Sequence, residues 1–166
     1  MRYFTRGWAE WELPEEAMDA VRNAYWKYIE NLLPTMPPAV ARLTKTRLHD
    51  AEISRVVLDH PLKTLTLVLV VSGSRSFFEV TLTYQGVEMG GRYLEAFKAI
   101  ARDRETCILY DEIDVDADGE WVHRLLFSPD GEMNIWFRKL TLKKTKMADD
   151  RVSLKPCFLE IHDEND

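Results

Sequence analysis

Three aspartates, Asp114, Asp116 and Asp118, alternate along the chain and run straight into Gly119. Side-chain oxygens at every second position, followed by a glycine that permits a sharp turn, are how many calcium loops begin. A helix-flanked loop of that kind also needs a bidentate glutamate at its twelfth position. Counted from Asp114, that position is Leu125, and the flanking segments carry strand rather than helix periodicity. Asp118-Gly119 is in any case the pair expected at a hairpin tip, because both turn residues need positive φ. The hairpin reading takes precedence. Calcium held by Asp114, Asp116 and Asp118 stands as the alternative, and no other cofactor is indicated.

Asp114 belongs to a second candidate cluster. Two-residue turns at Asp118-Gly119 and Asp130-Gly131 would set Asp114 opposite His123 and His123 opposite Arg138. One sheet face would then carry Tyr110, Glu112, Asp114, Trp121, His123, Trp136 and Arg138, mixing aromatic and charged groups as protein interfaces do. The opposite face, with Ile113, Val122, Leu126, Ile135 and Phe137, would be core, and Asp111 and Arg124 would be diagonal neighbours on it, able to pair. An Asp–His pair is the base-and-orienter half of a catalytic triad. No nucleophile accompanies it here: G-x-S-x-G is absent and Cys107 falls on the other face. The plainer reading is that the long helix and the aromatic N-terminal arm cover this face, since large aromatic side chains bury their area.

A third cluster is His49, Asp50 and Glu52, in RLHDAE. These are metal-ligating types, but the H-E-x-x-H spacing is missing. A helix end at His49 and a turn at Asp50 account for them. His60 and His162 converge with nothing.

The elements that must position these groups follow from periodicity. Residues 1–13 form an arm rich in aromatics, Tyr3, Phe4, Trp8 and Trp11. Pro14, Glu15 and Glu16 start a helix over about 14–33, with Met18, Val21, Tyr25, Ile29 and Leu32 at helical spacing. After PTMPP a short helix covers about 38–47. The period then changes to two. A strand at 52–59, KTLTLVLVV and SFFEVTLTYQGV form an antiparallel meander, separated by turns at Asp59–Leu62 and SGSR. Residues 92–103 read as a helix, with Gly90 and Gly91 as a competing loop signal. Three further strands follow: TCILYDEIDV, EWVHRLLF and EMNIWFRKLTLKK. The expectation is a single α+β domain: helices at 14–47 packed on a largely antiparallel sheet of about six strands at 52–144. A tail covers 145–166, with VSLKPCFLEI as a candidate last strand and HDEND as a solvated end.

The totals narrow the function. A chain of 166 residues with 46% hydrophobic and 30% charged residues is globular and long enough to bury a core. A net charge of −6 disfavours nucleic acid as the main partner. The basic group Arg138, Lys139, Lys143, Lys144 and Lys146 reads as a lysine-protected edge strand. The longest apolar run, Leu65 to Val71, is too short to span a membrane. The opening MRYFTRGWAEWELPEE has no apolar stretch of a secretory leader. Two cysteines, Cys107 and Cys157, fit a reducing cytoplasm.

The opening MRYFT, the junction LHDAEI, the stretch ILYDEIDV and HRLLFSPDGEMNIWF together resemble an uncharacterised family of short bacterial proteins. Its members carry a Tyr-Phe-Thr opening, Leu-His-Asp-Ala before the first strand and Tyr-Asp-Glu before a late hairpin. The resemblance implies no catalytic residues. In outline the chain is also similar to small cytoplasmic proteins that neutralise toxins in interbacterial competition. The expected function is a non-enzymatic cytoplasmic protein-binding role, of immunity type in its sharpest form, with a protein partner. The alternative is a metal-binding domain or metal-dependent hydrolase using His49 and Asp50 or the acidic hairpin 112–118.

Overall fold

The computed structural model describes residues 1–74, 76–88, 91–103, 105–148 and 157–163. The expected roles of Arg75, Gly90, the Tyr93 side chain, the tail at 149–156 and the acidic end at 164–166 lie outside the described residues. The chain is α+β. The expected first helix is α2 (Glu15–Leu32), preceded by a one-turn helix α1 (Arg6–Ala9) and followed by α3 (Pro38–Leu43). The strands are β1 (Ala51–Asp59), β2 (Thr64–Ser72), β3 (Phe77–Gln85), β4 (Cys107–Val115), β5 (Trp121–Ser128), β6 (Glu132–Phe137), β7 (Lys139–Lys146) and β8 (Phe158–His162). Helix α4 (Gly91–Arg102) lies between β3 and β4.

Among the described residues the sheet has eight strands rather than about six. Seven run in the order β6-β5-β4-β1-β2-β3-β7, and β8 pairs with β1. It is two meanders, β1–β2–β3 and β4–β5–β6, joined through β1 and β4. All neighbours are antiparallel except β8, which runs parallel to β1. One added strand, β8, comes from the tail, where VSLKPCFLEI contributes Phe158 to Ile161 and His162 ends the strand. The other comes from EMNIWFRKLTLKK, which bends instead of running straight. Arg138 donates its backbone N–H to Gln85 O at 2.9 Å, so the chain leaves β5 there and continues along β3 as β7. Gly86, at φ +73, lies under that bend, where an added Cβ would meet Arg138 Cγ at 3.0 Å. The end strands of the sheet path are therefore consecutive in the chain, and the sheet curls until β3 and β5 face each other across the interior.

The curl's interior is mostly apolar. Leu65, Leu67 and Leu69 of β2, Val80 and Leu82 of β3, and Leu125, Ile135 and Phe137 of β5 and β6 are fully or almost fully buried. Each such side chain contributes about 1.5–3 kcal/mol of transfer free energy. On the outer face of the first meander, Thr66, Thr83 and Thr141 stand side by side across three strands, with Thr66 Oγ1 and Thr83 Oγ1 3.1 Å apart. β7 is an end strand with exposed Lys139, Lys143, Lys144 and Lys146, and the Arg42 guanidinium of α3 donates to Leu142 O on it.

The arm is fixed by local chemistry. Thr5 caps α1, its Oγ1 accepting from Trp8 N–H at 3.3 Å. The helix ends in a Schellman motif: Trp11 N–H bonds to Trp8 O at 3.3 Å and Glu12 N–H to Gly7 O at 3.0 Å. The left-handed position of that motif, usually glycine, is Trp11 at φ +59. A side chain there costs about 1–2 kcal/mol.

Candidate functional site

The three motif stretches converge on β4. Just beyond its short pairing with β1, β4 carries a bulge at Leu109, between Ile108, opposite Phe127, and Tyr110, opposite Leu126. His49 Nδ1 lies 2.5 Å from the bulged Leu109 O, and Asp50 N–H donates to Ile108 O at 2.8 Å. Asp50 adopts φ +60 at this corner. His49 Nε2 is 3.4 Å from the Asp50 carboxylate, and the His49 ring stacks near Tyr110 at 4.9 Å. The LHDA segment thus anchors the start of β1 to the bulge.

Past the bulge β4 has, among the described residues, no strand on its β1 side, and α2 takes that place. Ile113 N–H donates to Tyr25 Oη at 2.9 Å and Val115 N–H to Tyr28 Oη at 3.4 Å. Two tyrosines at i, i+3 on one helix face stand in for a neighbouring strand and satisfy backbone donors that burial would otherwise orphan. Burial raises the Tyr25 hydroxyl above its ordinary value.

Glu112, buried, collects the arm. It accepts from the backbone N–H of Arg2 at 2.9 Å, Tyr3 at 2.7 Å and Phe4 at 2.5 Å. Above it Phe4, Trp8, Tyr25 and Tyr110 interlock, with ring centroids 4.7 Å apart for Phe4–Trp8, 4.9 Å for Phe4–Tyr25 and 4.9 Å for Trp8–Tyr110. A carboxylate taking several N–H bonds is a strong, charge-assisted anchor.

Asp114, also buried, sits at the end of the arm. Tyr28 Oη donates to its Oδ1 at 2.5 Å, Arg124 Nη2 to its Oδ2 at 3.0 Å, and Arg2 Nη1 to its Oδ1 at 3.3 Å. Burial alone would push this carboxyl up. The hydrogen bonds from Tyr28, Arg124 and Val115 N–H, with the Arg124 charge, outweigh burial and hold it below its ordinary value. Tyr28 shifts upward, through burial and through its bond to Asp114. The Arg2 guanidinium lies over the Tyr28 ring at 5.1 Å.

Both hairpin registers differ from the two-residue-turn expectation. At the first tip, Gly119 N–H bonds to Asp116 O at 3.1 Å and Asp116 N–H to Glu120 O at 3.0 Å, so the loop is Ala117-Asp118-Gly119 with Gly119 at φ +81. At the second, Phe127 N–H bonds to Gly131 O at 2.9 Å, so the loop is Ser128-Pro129-Asp130, with a cis Ser128–Pro129 peptide. Asp114 therefore faces Val122, and His123 lies between Ile113 and Ile135 rather than between Asp114 and Arg138. The registers slip by one and by three residues. Both are odd, so β5 alone turns over between its neighbours. Tyr110, Glu112, Asp114 and Trp136 stay together on the face under the arm. Trp121 and His123 move to the interior face, and Arg138 stands exposed at the β6–β7 bend.

The flip exchanges ion partners. Instead of Asp114–His123 and Asp111–Arg124, the pairs are Asp114–Arg124 at 3.0 Å and Asp111–His123 at 3.2 Å. His123 is fully buried, and its Nδ1 lies 2.6 Å from Tyr84 Oη on β3. Tyr84–His123–Asp111 is thus a polar chain across the interior of the curl. Burial raises the Tyr84 hydroxyl well above its ordinary value.

The acidic hairpin does not gather its carboxylates. Asp114 points inward to its three partners. Asp116 Oδ1 accepts from Asp118 N–H at 3.0 Å and Glu120 N–H at 2.9 Å, bracing the turn. Asp118 is exposed at the tip. Among the described residues no three His, Cys, Asp or Glu side chains converge as a metal site, and no helix is long and apolar enough to cross a membrane.

The arm and the long helix cover the face of Tyr110, Glu112 and Asp114, as the aromatic pattern leads one to expect. The hydrogen bonds to Glu112 that fix the arm, and the Tyr84–His123 contact, are not foreshadowed. The clamp's one available signal was an acidic residue flanked by the aromatics that later enclose it, Tyr110 beside Glu112.

Fold and site together define a small α+β domain whose N-terminal arm is strapped over half of a curled sheet by buried carboxylates. The chain belongs to the family described as protein of unknown function DUF4085, whose model matches residues 4–137. That span takes in Phe4, α1, α2, Glu112 and Asp114 and ends at the last residue of β6. No curated protein and no solved structure matches the chain.

Proposed function

We propose that this chain is a non-enzymatic protein-binding domain, with an immunity-type role, neutralising a partner protein by docking on it, as the sharpest form. The observation that supports the reading is where the reactive side chains go. Glu112, Asp114, Asp111, His123 and His49 each have an internal partner within hydrogen-bond range. Those bonds hold the arm, α2 and the β4 bulge in place. A general base needs its lone pair free toward a substrate. Here the lone pairs of Glu112 and Asp114 are engaged by backbone N–H groups, tyrosine and arginine.

The test is capture from a lysate of the source organism with the purified chain as bait, in calcium and in EDTA. A stoichiometric protein in both buffers is the expected result. A partner retained only in calcium would restore the acidic hairpin as a metal site. Stoichiometric zinc, manganese or calcium in freshly purified protein, together with hydrolase activity, would replace the binding reading with the metal-dependent alternative.

A further inference from the structure

Five large apolar side chains are exposed among the described residues: Trp11 at 74%, Leu13 at 40%, Trp26 at 46%, Leu62 and Phe158. Three of the five fall within residues 11–26. Trp11 and Leu13 immediately precede α2. Trp26 lies on its outer face in the stripe Glu15, Asp19, Arg22, Trp26 and Glu30, spaced i, i+4, i+7, i+11, i+15. The inner face, Met18, Tyr25 and Ile29, is the buried one.

Trp11 supplies a second, independent observation. It occupies the left-handed position of the α1 Schellman motif, where glycine is the unstrained residue. A bulky side chain held there normally has its cost offset by packing, yet this indole is three-quarters exposed. No burial within the chain offsets the strain. Backbone outliers of this kind gather where a ligand completes the contact.

The surrounding charge indicates what kind of partner fits. Residues 10–30 hold Glu10, Glu12, Glu15, Glu16, Asp19 and Glu30 against Arg22 and Lys27. Arg22 is itself bonded to Asp19 at 2.5 Å. Such a rim draws a basic surface and repels an acidic one. It also disfavours a second copy of this chain: an antiparallel pairing of two α2 stripes sets Glu15 against Glu30.

We propose that Trp11, Leu13 and Trp26, strung along the acidic segment 10–30 with Trp26 about 16 Å along α2 from Glu15, form an extended docking surface for a basic protein partner that receives the two indoles in apolar clefts. This deepens the protein-binding reading and rests on it.

Two short amphipathic peptides with one leucine pattern, carrying lysine or glutamate at the polar positions, are titrated into the full chain and followed by tryptophan emission and calorimetry. The lysine peptide is expected to bind and the glutamate peptide not. Trp11→Gly and Trp26→Ala should each weaken the lysine peptide about tenfold or more, and Glu15→Lys with Glu16→Lys should do the same. Trp11→Gly should melt no lower than the parent, because glycine relieves the left-handed strain. Equal binding of the two peptides, unchanged affinity in both tryptophan variants, or a chain dimer dissolved by Trp26→Ala would overturn the proposal. Lysate capture separates the two levels. If the parent and a variant combining Trp11→Gly with Trp26→Ala retain the same partner, this surface is wrong and the binding reading stands. If the parent captures nothing, that reading fails and the surface with it.

Discussion

The two meanders of this sheet are built on different principles. In β1–β2–β3 one face is hydrocarbon and the other is threonine, valine and solvent. Leu65, Leu67 and Leu69 alternate with Thr64, Thr66 and Val68, and the β2–β3 hydrogen bonds are those of an ordinary ladder. In β4–β5–β6 both faces are covered. Its buried residues include Glu112, Asp114 and His123, and two of its backbone donors go to tyrosines of α2. The first meander is stable because water is excluded from one side. The second is held by named hydrogen bonds whose partners come from residues 1–28 and from β3. A hydrophobic face tolerates any side chain of similar volume. A buried carboxylate tolerates almost no change, because removing it orphans every group that bonds to it.

That contrast is tested most severely at Glu112. Glu112→Ala leaves the Arg2, Tyr3 and Phe4 N–H groups without their acceptor. It should cost about 3 kcal/mol or more in urea unfolding. The arm should also become the first site of limited proteolysis. A conservative core change in the other meander, Leu67→Met, should cost less than about 1.5 kcal/mol. If Glu112→Ala costs no more than Leu67→Met, the arm is held by its aromatics and the clamp is incidental.

His123 comes next. His123→Leu removes the link between Tyr84 and Asp111 and strands a hydroxyl inside the curl. The expected loss is about 2–3 kcal/mol. Adding Tyr84→Phe removes the stranded hydroxyl, so the double variant should recover about 1 kcal/mol of it. A strictly additive double variant would show that the 2.6 Å contact carries no coupling.

Asp114 is the smaller and more specific case. Its carboxyl is held below the ordinary value in the folded chain, so the anion favours folding. That contribution is complete above the unfolded-state pKa, near 4. It is lost as pH falls through that value and the lower folded one. Asp114→Asn should therefore cost about 1–2 kcal/mol at neutral pH. It should also flatten the decline of stability below about pH 4. Urea midpoints at neutral and acid pH decide it: parallel curves for parent and variant would mean that Asp114 is not the group titrating.

The same contrast explains what could be read from the sequence. Strict alternation in KTLTLVLVV and SFFEVTLTYQGV reflects a sheet with one wet face, and those strands, α2 and α4 lie within a residue or two of their expected places. β4–β6 were located as strands, but their pairing was not. Asp-Gly marks a turn without saying whether two or three residues close it, and an odd difference inverts a strand. Only β5 was inverted, because two odd slips restore β6 to its expected side of β4. The bend at Arg138 left only a phase shift as its signal: the apolar alternation of Ile135 and Phe137 resumes at Leu140, one residue out of step across Arg138-Lys139. What stops the strand is a carbonyl of β3, distant in sequence. The arm clamp was illegible for the same reason: its donors are backbone N–H groups, which every sequence has.

The smallest effect belongs to the outer face of the first meander. Thr66 and Thr83 face each other there with their hydroxyls 3.1 Å apart, half-buried and within reach of water. Thr66→Val removes that bond but keeps the β-branched shape, so backbone preference is unchanged. Water replaces the lost partner at Thr83, and stability should move by no more than about 0.5 kcal/mol in either direction. Lysine-peptide binding, if it runs through Trp11 and Trp26, should not move at all. A loss above about 1 kcal/mol would mean that the hydroxyl is not replaceable by water. The first meander would then share the hydrogen-bonded logic of the second, and the division between the two halves would fail where it looks most secure.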